Sequence, residues 1–162
     1  IETLPLHPLR DVRRVKGTLE EVLKKAEKIA RELDHPYVGT EHLLLAFMRV
    51  YTGVAGQILS ANGVEEANLY KIVDELISPV GEVTFQEKPK RSPRLEYTLE
   101  ESKEEAIRFQ SEAIGTEHML LAILREPDSV ATRILLTLNV NIQKIMQDTL
   151  EVLGVDIKEY QE

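Results

Sequence analysis

The tetrapeptide Gly39-Thr40-Glu41-His42 occurs a second time, letter for letter, as Gly115-Thr116-Glu117-His118. When the chain is laid over itself at this offset, residues 19–77 and 95–153 match without a gap at 18 of 59 positions. A gapless match of that length indicates a duplicated structural unit. The sequence therefore predicts two similar units, each organised around one copy of the tetrapeptide.

The composition is that of an acidic globular protein. The chain has 162 residues, a net charge of −8, 43% hydrophobic residues and no cysteine. Phosphate-backbone binding needs clustered Lys and Arg, and at a net charge of −8 nucleic acid is a poor candidate for a partner. The absence of cysteine excludes disulfides, thiolate metal sites and a Cys nucleophile, and it fits a reducing cytoplasm. No membrane span or signal peptide is visible. Because the sequence does not begin with Met, we expect it to be a piece of a longer protein.

Composition shifts divide the chain into five segments. Pro5 and Pro8 disfavour an early helix, so the first segment is expected to be a basic leader. Gly81, Pro89 and the absence of a sustained period predict an exposed linker after the first unit. The predicted segments are a leader 1–16, a first repeat 17–78, a linker 79–91, a second repeat 92–154 and an acidic tail 155–162.

Both repeats show apolar residues at helical spacing and almost no strand pattern, which predicts an all-α fold. Thr18 with Glu21 looks like a capping box, and Ser92 followed by Pro93 looks like an N-cap with proline at the first helical position. Asn62-Gly63 predicts a left-handed helix end. The expected helices are 18 to about 34–37, 41–50, 54–61 and 65–78, then 93–110, 117–125, 130–138 and 141–153.

Each tetrapeptide has a structural interpretation. Glycine would make a tight turn, threonine would cap the helix that follows, and glutamate would suit the positive end of the helix dipole. A binding role stays open beside it. An exposed carboxylate at Glu41 or Glu117 would recognise a guanidinium, and free N–H groups at helix starts would attract an anion. A ligand that carries a guanidinium and a phosphate would satisfy both.

The sequence shows no catalytic or metal-binding motif. Glu41 and His42 point in different directions on a helix, and the pair His35 and His42 lacks an evident third ligand, so no metal site is expected. There is no nucleophile elbow and no phosphate-binding Gly-rich loop. A small helical enzyme that uses Glu41 and Glu117 as acid–base groups remains an alternative, although a helix start favours the charged carboxylate over a proton donor.

The doubled pattern resembles the N-terminal domain of Clp unfoldases, most closely the ClpC subgroup. The residues that carry the resemblance are an Ala-rich first helix, Gly-Thr-Glu-His followed by Leu-Leu-Ala at 44–46 and 120–122, and Val-Ala-x-x-Ile-Leu at 54–59 and 130–135. The resemblance implies eight helices in two pseudo-twofold-related four-helix units. It also implies a non-catalytic domain without cofactors, joined to ATPase modules that would bind ATP and Mg²⁺ and would work with the ClpP protease.

The resemblance further implies adaptor partners of the MecA or McsB type and arginine-phosphorylated substrates. By this likeness Glu41 and Glu117 would hold the phosphoarginine guanidinium, and Thr40 and Thr116 are candidates on the phosphate side. The chain departs from the family where Lys16-Gly17-Thr18 opens the first repeat, which puts phosphate binding there in doubt. A stand-alone accessory protein that binds the Clp machine in trans is the alternative, and a longer reading frame with Walker motifs would exclude it.

Overall fold

The computed structural model describes residues 8–50, 53–76 and 89–161, and it describes side chains between residues 19 and 160. Residues 1–7 of the predicted leader and residues 79–88 of the predicted linker lie outside this part. The first unit contains α1 (Pro8–Glu32), β1 (Tyr37–Val38), α2 (Thr40–Arg49), α3 (Val54–Ala61) and α4 (Glu66–Leu76). The second contains β2 (Lys90–Arg91), α5 (Pro93–Arg108), α6 (Thr116–Leu124), α7 (Val130–Thr137), α8 (Ile142–Val152) and α9 (Ile157–Gln161).

The predicted all-α fold is confirmed. Helices α1 to α4 recur as α5 to α8, and the two short strands form one parallel pair. The predicted N-cap of α5 is confirmed. Ser92 Oγ accepts from Leu95 N at 3.1 Å, and Pro93 is the first residue of the helix. Gly63, with φ of 90°, ends α3 as Asn62-Gly63 predicted, and Asn139, with φ of 62°, does the same after α7.

The first helix begins earlier than expected. It starts at Pro8 and continues without a break through Gly17 and Thr18. The prediction that residues 8–16 are kept out of helix, and that Thr18 caps a helix, is therefore wrong. Proline is tolerated at the first helical position because its missing N–H has no partner there in any helix, and one interior glycine costs only about 1 kcal/mol.

Helices α2 and α6 form the centre of the domain. In α2 every residue from Thr40 to Phe47 is buried. The apolar run of this helix predicts such burial inside a bundle. The outer helix α1 packs on α2, and α5 packs on α6. Buried residues of both units belong to one continuous hydrophobic cluster, so the repeats share a core instead of forming two separate ones.

The crossing between the second and third helices of each unit is built differently in the two units. Gly56 of α3 lies so close to α2 that an added Cβ would overlap the carbonyl oxygen of Phe47. The equivalent residue in the second unit is Thr132, and its hydroxyl donates to the carbonyl of Ile123 at 2.9 Å. The same crossing is thus made by close backbone approach in one unit and by a side-chain hydrogen bond in the other.

The end of the predicted linker is attached to the first unit. Tyr37 pairs with Lys90 and Val38 with Arg91, and Ser92 N donates to Val38 O at 2.8 Å. This contact places the start of α5 beside the loop that leads into the first tetrapeptide.

The predicted acidic tail contains a ninth helix. Residues Ile157–Gln161 are helical, and Tyr160 is buried against Leu121 and Leu150. The described part of the chain therefore has one helix more than the eight expected, and residues 155–161 pack against the second unit.

Within the described ranges, no single helix has the length and apolarity to cross a membrane. The helices Thr40–Arg49 and Val54–Ala61 reach those limits only as a pair bent by 91°.

Candidate functional site

The two tetrapeptides open α2 and α6 with the same local geometry. Gly39 and Gly115 are the N-cap residues, so each threonine is the first residue of its helix and not the cap that the sequence predicted. The cap is made by histidine instead. Gly39 N donates to His42 Nδ1 at 2.8 Å, and Gly115 N donates to His118 Nδ1 at 2.9 Å. A side chain three residues into the helix thus satisfies the N-cap N–H, as glutamate does in a capping box.

The glycines are needed for space and not for an unusual turn. Gly39 has φ of −118° and Gly115 has φ of −108°, which other residues adopt readily, so the expected tight turn is wrong. An added Cβ would lie 2.9 Å from Cδ of Glu41 and 2.8 Å from Cδ of Glu117. Each glutamate therefore folds back over the residue that precedes its helix, and glycine leaves room for the carboxylate.

The threonine hydroxyls connect the two repeats. Thr40 Oγ1 accepts from Ala131 N at 3.2 Å, and Thr116 Oγ1 accepts from Ala55 N at 3.1 Å. Both acceptors are buried, and both donors lie in the first turn of a helix in the other repeat, α7 and α3. Each tetrapeptide therefore satisfies an N–H at a helix start across the interface, where free N–H groups have no partner within their own helix. This reciprocal contact fits the expected pseudo-twofold arrangement.

We expect Thr40→Val to destabilise the opposite repeat. The isosteric valine keeps the volume but leaves the Ala131 N–H without its acceptor, and loss of such a cap costs about 1 kcal/mol. Hydrogen exchange should accelerate first at Ala131 in α7, whereas the start of α2 should change less. Thr40→Ser is the matched control, since it retains the hydroxyl. Faster exchange confined to α2 would contradict the role of Thr40 across the interface.

Glu41 is not the exposed carboxylate that the sequence suggested. It is 2% exposed, and Tyr37 Oη donates to its Oε2 at 3.1 Å. Burial raises the pKa of Glu41, while its own backbone N–H and the Tyr37 hydroxyl act in the opposite direction. Burial and the neighbouring Glu41 carboxylate also raise the pKa of Tyr37. The first site is thus closed over by a tyrosine.

Glu117 is the more open of the two carboxylates. It is partly exposed, and the position equivalent to Tyr37 is Ala113, which has no hydroxyl to cover it. Among the residues that the structure describes, neither Glu41 nor Glu117 lies within 4.0 Å of a Lys or Arg nitrogen. Neither carboxylate therefore has a cation partner within the described ranges, and Glu117 can be reached from solvent.

The histidines are structural. Since Nδ1 of His42 accepts from Gly39, its proton lies on Nε2, which contacts His35 Nδ1 at 2.7 Å. Burial, and then the neighbouring His35, lower the pKa of His42 to about 3. In the second repeat Ser111 replaces His35 and lies 3.1 Å from His118 Nε2, and burial lowers the pKa of His118.

No cluster of three metal-binding side chains occurs in the described part of the chain. Sequence reasoning missed this capping role, although a histidine three residues after each glycine was the available signal.

A duplicated four-helix unit, joined by reciprocal contacts between two identical helix starts, defines a helical double-repeat domain. The chain belongs to the Clp repeat (R) N-terminal domain family, whose model matches residues 15–138. Domains of this family are non-catalytic docking domains without a cofactor, so the enzyme alternative falls away.

The relatives agree with this assignment. The chain is 36% identical over 135 residues to "Negative regulator of genetic competence ClpC/MecB" of Bacillus subtilis. It is 34% identical over 134 residues to "Probable ATP-dependent Clp protease ATP-binding subunit" of Chlamydia pneumoniae. Each alignment covers 83% of this chain but 16% of the relative, so the chain spans about one sixth of these proteins.

Solved structures show the same fold at low identity. The N-domain of ClpV from Vibrio cholerae has a TM-score of 0.69 at 16% identity, covering 95% of this chain and 93% of that one. The N-terminal domain of the chaperone ClpD from Arabidopsis thaliana has a TM-score of 0.66 at 20% identity, covering 83% and 93%.

Proposed function

We propose that this chain is the substrate- and adaptor-docking domain of a ClpC-type AAA+ unfoldase, and that it recognises phosphoarginine on client proteins. The family assignment and the likeness to ClpC support the docking role. In this proposal the ATPase modules and ClpP contacts belong to the rest of a longer, cytoplasmic protein, and adaptors of the MecA or McsB type bind this domain.

The main support for phosphoarginine recognition is the exposure of the Glu117 carboxylate and its lack of a cation partner in the described residues. Its carboxylate is partly exposed, lies at a helix start and has no Lys or Arg partner in the described residues. A carboxylate in this state offers two oxygens to a planar guanidinium, which binds through two parallel charge-assisted hydrogen bonds.

The two sites are expected to differ in affinity. A ligand at Glu41 must displace the Tyr37 hydroxyl and reach a carboxylate that is already desolvated, whereas Glu117 meets neither obstacle. The buried hydroxyls of Thr40 and Thr116 already accept N–H groups of the other repeat, which weighs against a direct role in phosphate binding. We therefore propose Glu117 as the dominant site and Glu41 as the weaker one.

Calorimetric titration with phosphoarginine tests this proposal. Loss of a hydrogen bond to a charged group costs about 1.5–3 kcal/mol, so Glu117→Ala should weaken binding about 10- to 100-fold. Glu41→Ala should have a smaller effect. Glu112→Ala is the matched control, because Glu112 is an exposed acid five positions before Glu117. The proposal fails if the wild-type chain gives no heat, or if the Glu41→Ala/Glu117→Ala variant binds as tightly as the wild type.

A further inference from the structure

The segment after the second repeat folds back onto it. Gly154, with φ of 76°, ends α8 and reverses the chain, and Val155 N donates to Leu150 O at 3.0 Å. Asp156 then starts α9, since its Oδ1 accepts from Lys158 N at 2.8 Å. We call residues 155–161 the C-terminal strap.

Tyr160 attaches the C-terminal strap to α5. Its hydroxyl donates to Glu105 Oε2 at 3.0 Å, and its carbonyl oxygen accepts from Arg108 Nη2 at 2.9 Å. Its ring stacks on Phe109 with 5.8 Å between centroids and 9° between planes. The Arg108 guanidinium lies 4.5 Å from the centre of the same ring. One side chain thus makes a hydrogen bond, a stacking contact and a cation–π contact, while its own backbone carbonyl adds a second hydrogen bond.

The receiving surface holds a buried carboxyl group that accepts a hydrogen bond from the strap. Glu105 is 1% exposed, and the equivalent residue in the first repeat is Ile29, a core residue. Arg125 Nη1 donates to Glu105 Oε2 at 2.6 Å, while Oε1 has no hydrogen-bond partner among the residues that the structure describes. If Tyr160 leaves, Glu105 keeps the Arg125 donor but loses the Tyr160 hydroxyl, and each hydrogen bond lost at a buried polar group is costly. Departure of the strap must therefore rearrange the surroundings of Glu105.

These surroundings reach the second tetrapeptide. The ring of Phe109, which stacks on Tyr160, lies 6.5 Å from the ring of His118. His118 accepts the Gly115 N–H and so holds the N-cap of α6, next to Glu117. A continuous row of contacts joins the strap to the helix start through Tyr160, Phe109 and His118. In the first repeat the counterpart of Phe109 is Leu33, which has no aromatic ring to stack in such a row.

We propose that the C-terminal strap is a conformational device that docks on the second repeat through Tyr160 and controls the geometry of the second tetrapeptide alone. In the docked state Phe109 supports His118, and the Gly115 cap is held. In the undocked state Leu121 and Leu150 are uncovered, Glu105 loses the Tyr160 hydroxyl, and the cap loosens. This inference concerns the fold and does not depend on phosphoarginine binding.

Amide hydrogen exchange and backbone NMR on the 162-residue chain test the proposal. In the wild type the amides of the strap should exchange at least about 10-fold more slowly than in an unfolded chain. Tyr160→Ala should abolish this protection and shift the Gly115 amide resonance, which reports its bond to His118. The Gly39 resonance should not move. Tyr97→Ala, at an exposed tyrosine on α5, is the matched control and should change neither region.

Two results would overturn the proposal. One is unprotected strap amides in the wild-type chain, which would show that the strap does not dock. The other is an unshifted Gly115 resonance in Tyr160→Ala, which would show that docking and the cap are independent. Should Tyr160→Ala unfold the second repeat, Tyr160→Phe keeps the ring and removes only the hydroxyl. The Tyr160→Phe chain should stay folded, with partial loss of strap protection and a smaller Gly115 shift. If neither the strap protection nor the Gly115 resonance changes, the proposal is also refuted.

Discussion

Replacing Phe47 with alanine is expected to lower the free energy of unfolding by about 3–5 kcal/mol, the range for large-to-small substitution of a buried aromatic residue. Phe47 is 1% exposed on α2, the central helix of the first repeat. The cavity cannot close easily, because α3 already approaches the Phe47 carbonyl as closely as Gly56 allows. Since the core is continuous, both repeats should unfold together in a denaturant titration.

The control is Ile107→Ala, a truncation of an apolar side chain that is 67% exposed on α5. Surface substitutions of this kind usually change stability by less than about 0.5 kcal/mol. Two separate unfolding transitions in the Phe47→Ala variant would contradict a shared core. A loss no larger than that of Ile107→Ala would contradict the rigid crossing between α2 and α3.

Acid is expected to destabilise the domain through the histidine caps. His42 has a folded pKa of about 3, against about 6.5 in the unfolded chain, so between these values only the unfolded state takes up the proton. Stability is therefore fully retained above pH 6.5 and falls as the pH drops below it. Each pH unit costs about 1.4 kcal/mol, so His42 should account for a loss of about 2–3 kcal/mol by pH 4.5.

Neighbouring titratable groups change the pH dependence of the stability in opposite directions. Burial lowers the pKa of His35 and of His118, which adds to the acid sensitivity. Burial raises the pKa of Glu41, so the folded state takes up that proton first and gains stability as the pH falls towards 4.5. The two effects partly offset each other in the first repeat.

Denaturant unfolding measured from pH 7.5 to 4.5 distinguishes these contributions. His42→Gln offers an amide oxygen to the Gly39 N–H but does not titrate, so its stability should depend less on pH. Glu41→Gln removes the opposing carboxyl and should steepen the dependence. If His42→Gln and the wild type lose stability in parallel, the buried histidine is not the origin of the acid sensitivity.

Several features of the fold were predictable because they depend on neighbours along the chain. The helical period of the apolar residues identified eight helices, and Ser92 and Asn62-Gly63 marked a helix start and a helix end that the structure confirms. The start of α1 was missed, because a proline disfavours helix inside an element but is accepted at its first position. Helix α9 was missed because its five residues are too few to show a period.

The candidate site was predictable in its residues but not in its geometry. Repetition of the tetrapeptide identified Glu41 and Glu117 as equivalent, yet the tertiary structure buries one and leaves the other partly exposed. The difference comes from Tyr37 and Ala113, which lie four residues before each glutamate. Whether such a side chain covers a carboxylate depends on the path of the loop between them. The two threonine hydroxyls also act across the interface, because they accept from backbone N–H groups that lie 91 and 61 positions away in the sequence.

The amino-acid sequence by itself determined that this protein is a duplicated all-α domain of the Clp repeat type with two matching helix starts. Identity at a fixed offset and the helical spacing of apolar residues carry that information locally. Only the tertiary structure decided which carboxylate is exposed to solvent, to which repeat each threonine hydroxyl is hydrogen-bonded and where Tyr160 docks. Those properties arise when distant segments pack together, because burial and hydrogen-bond partners are set by the residues that meet in space.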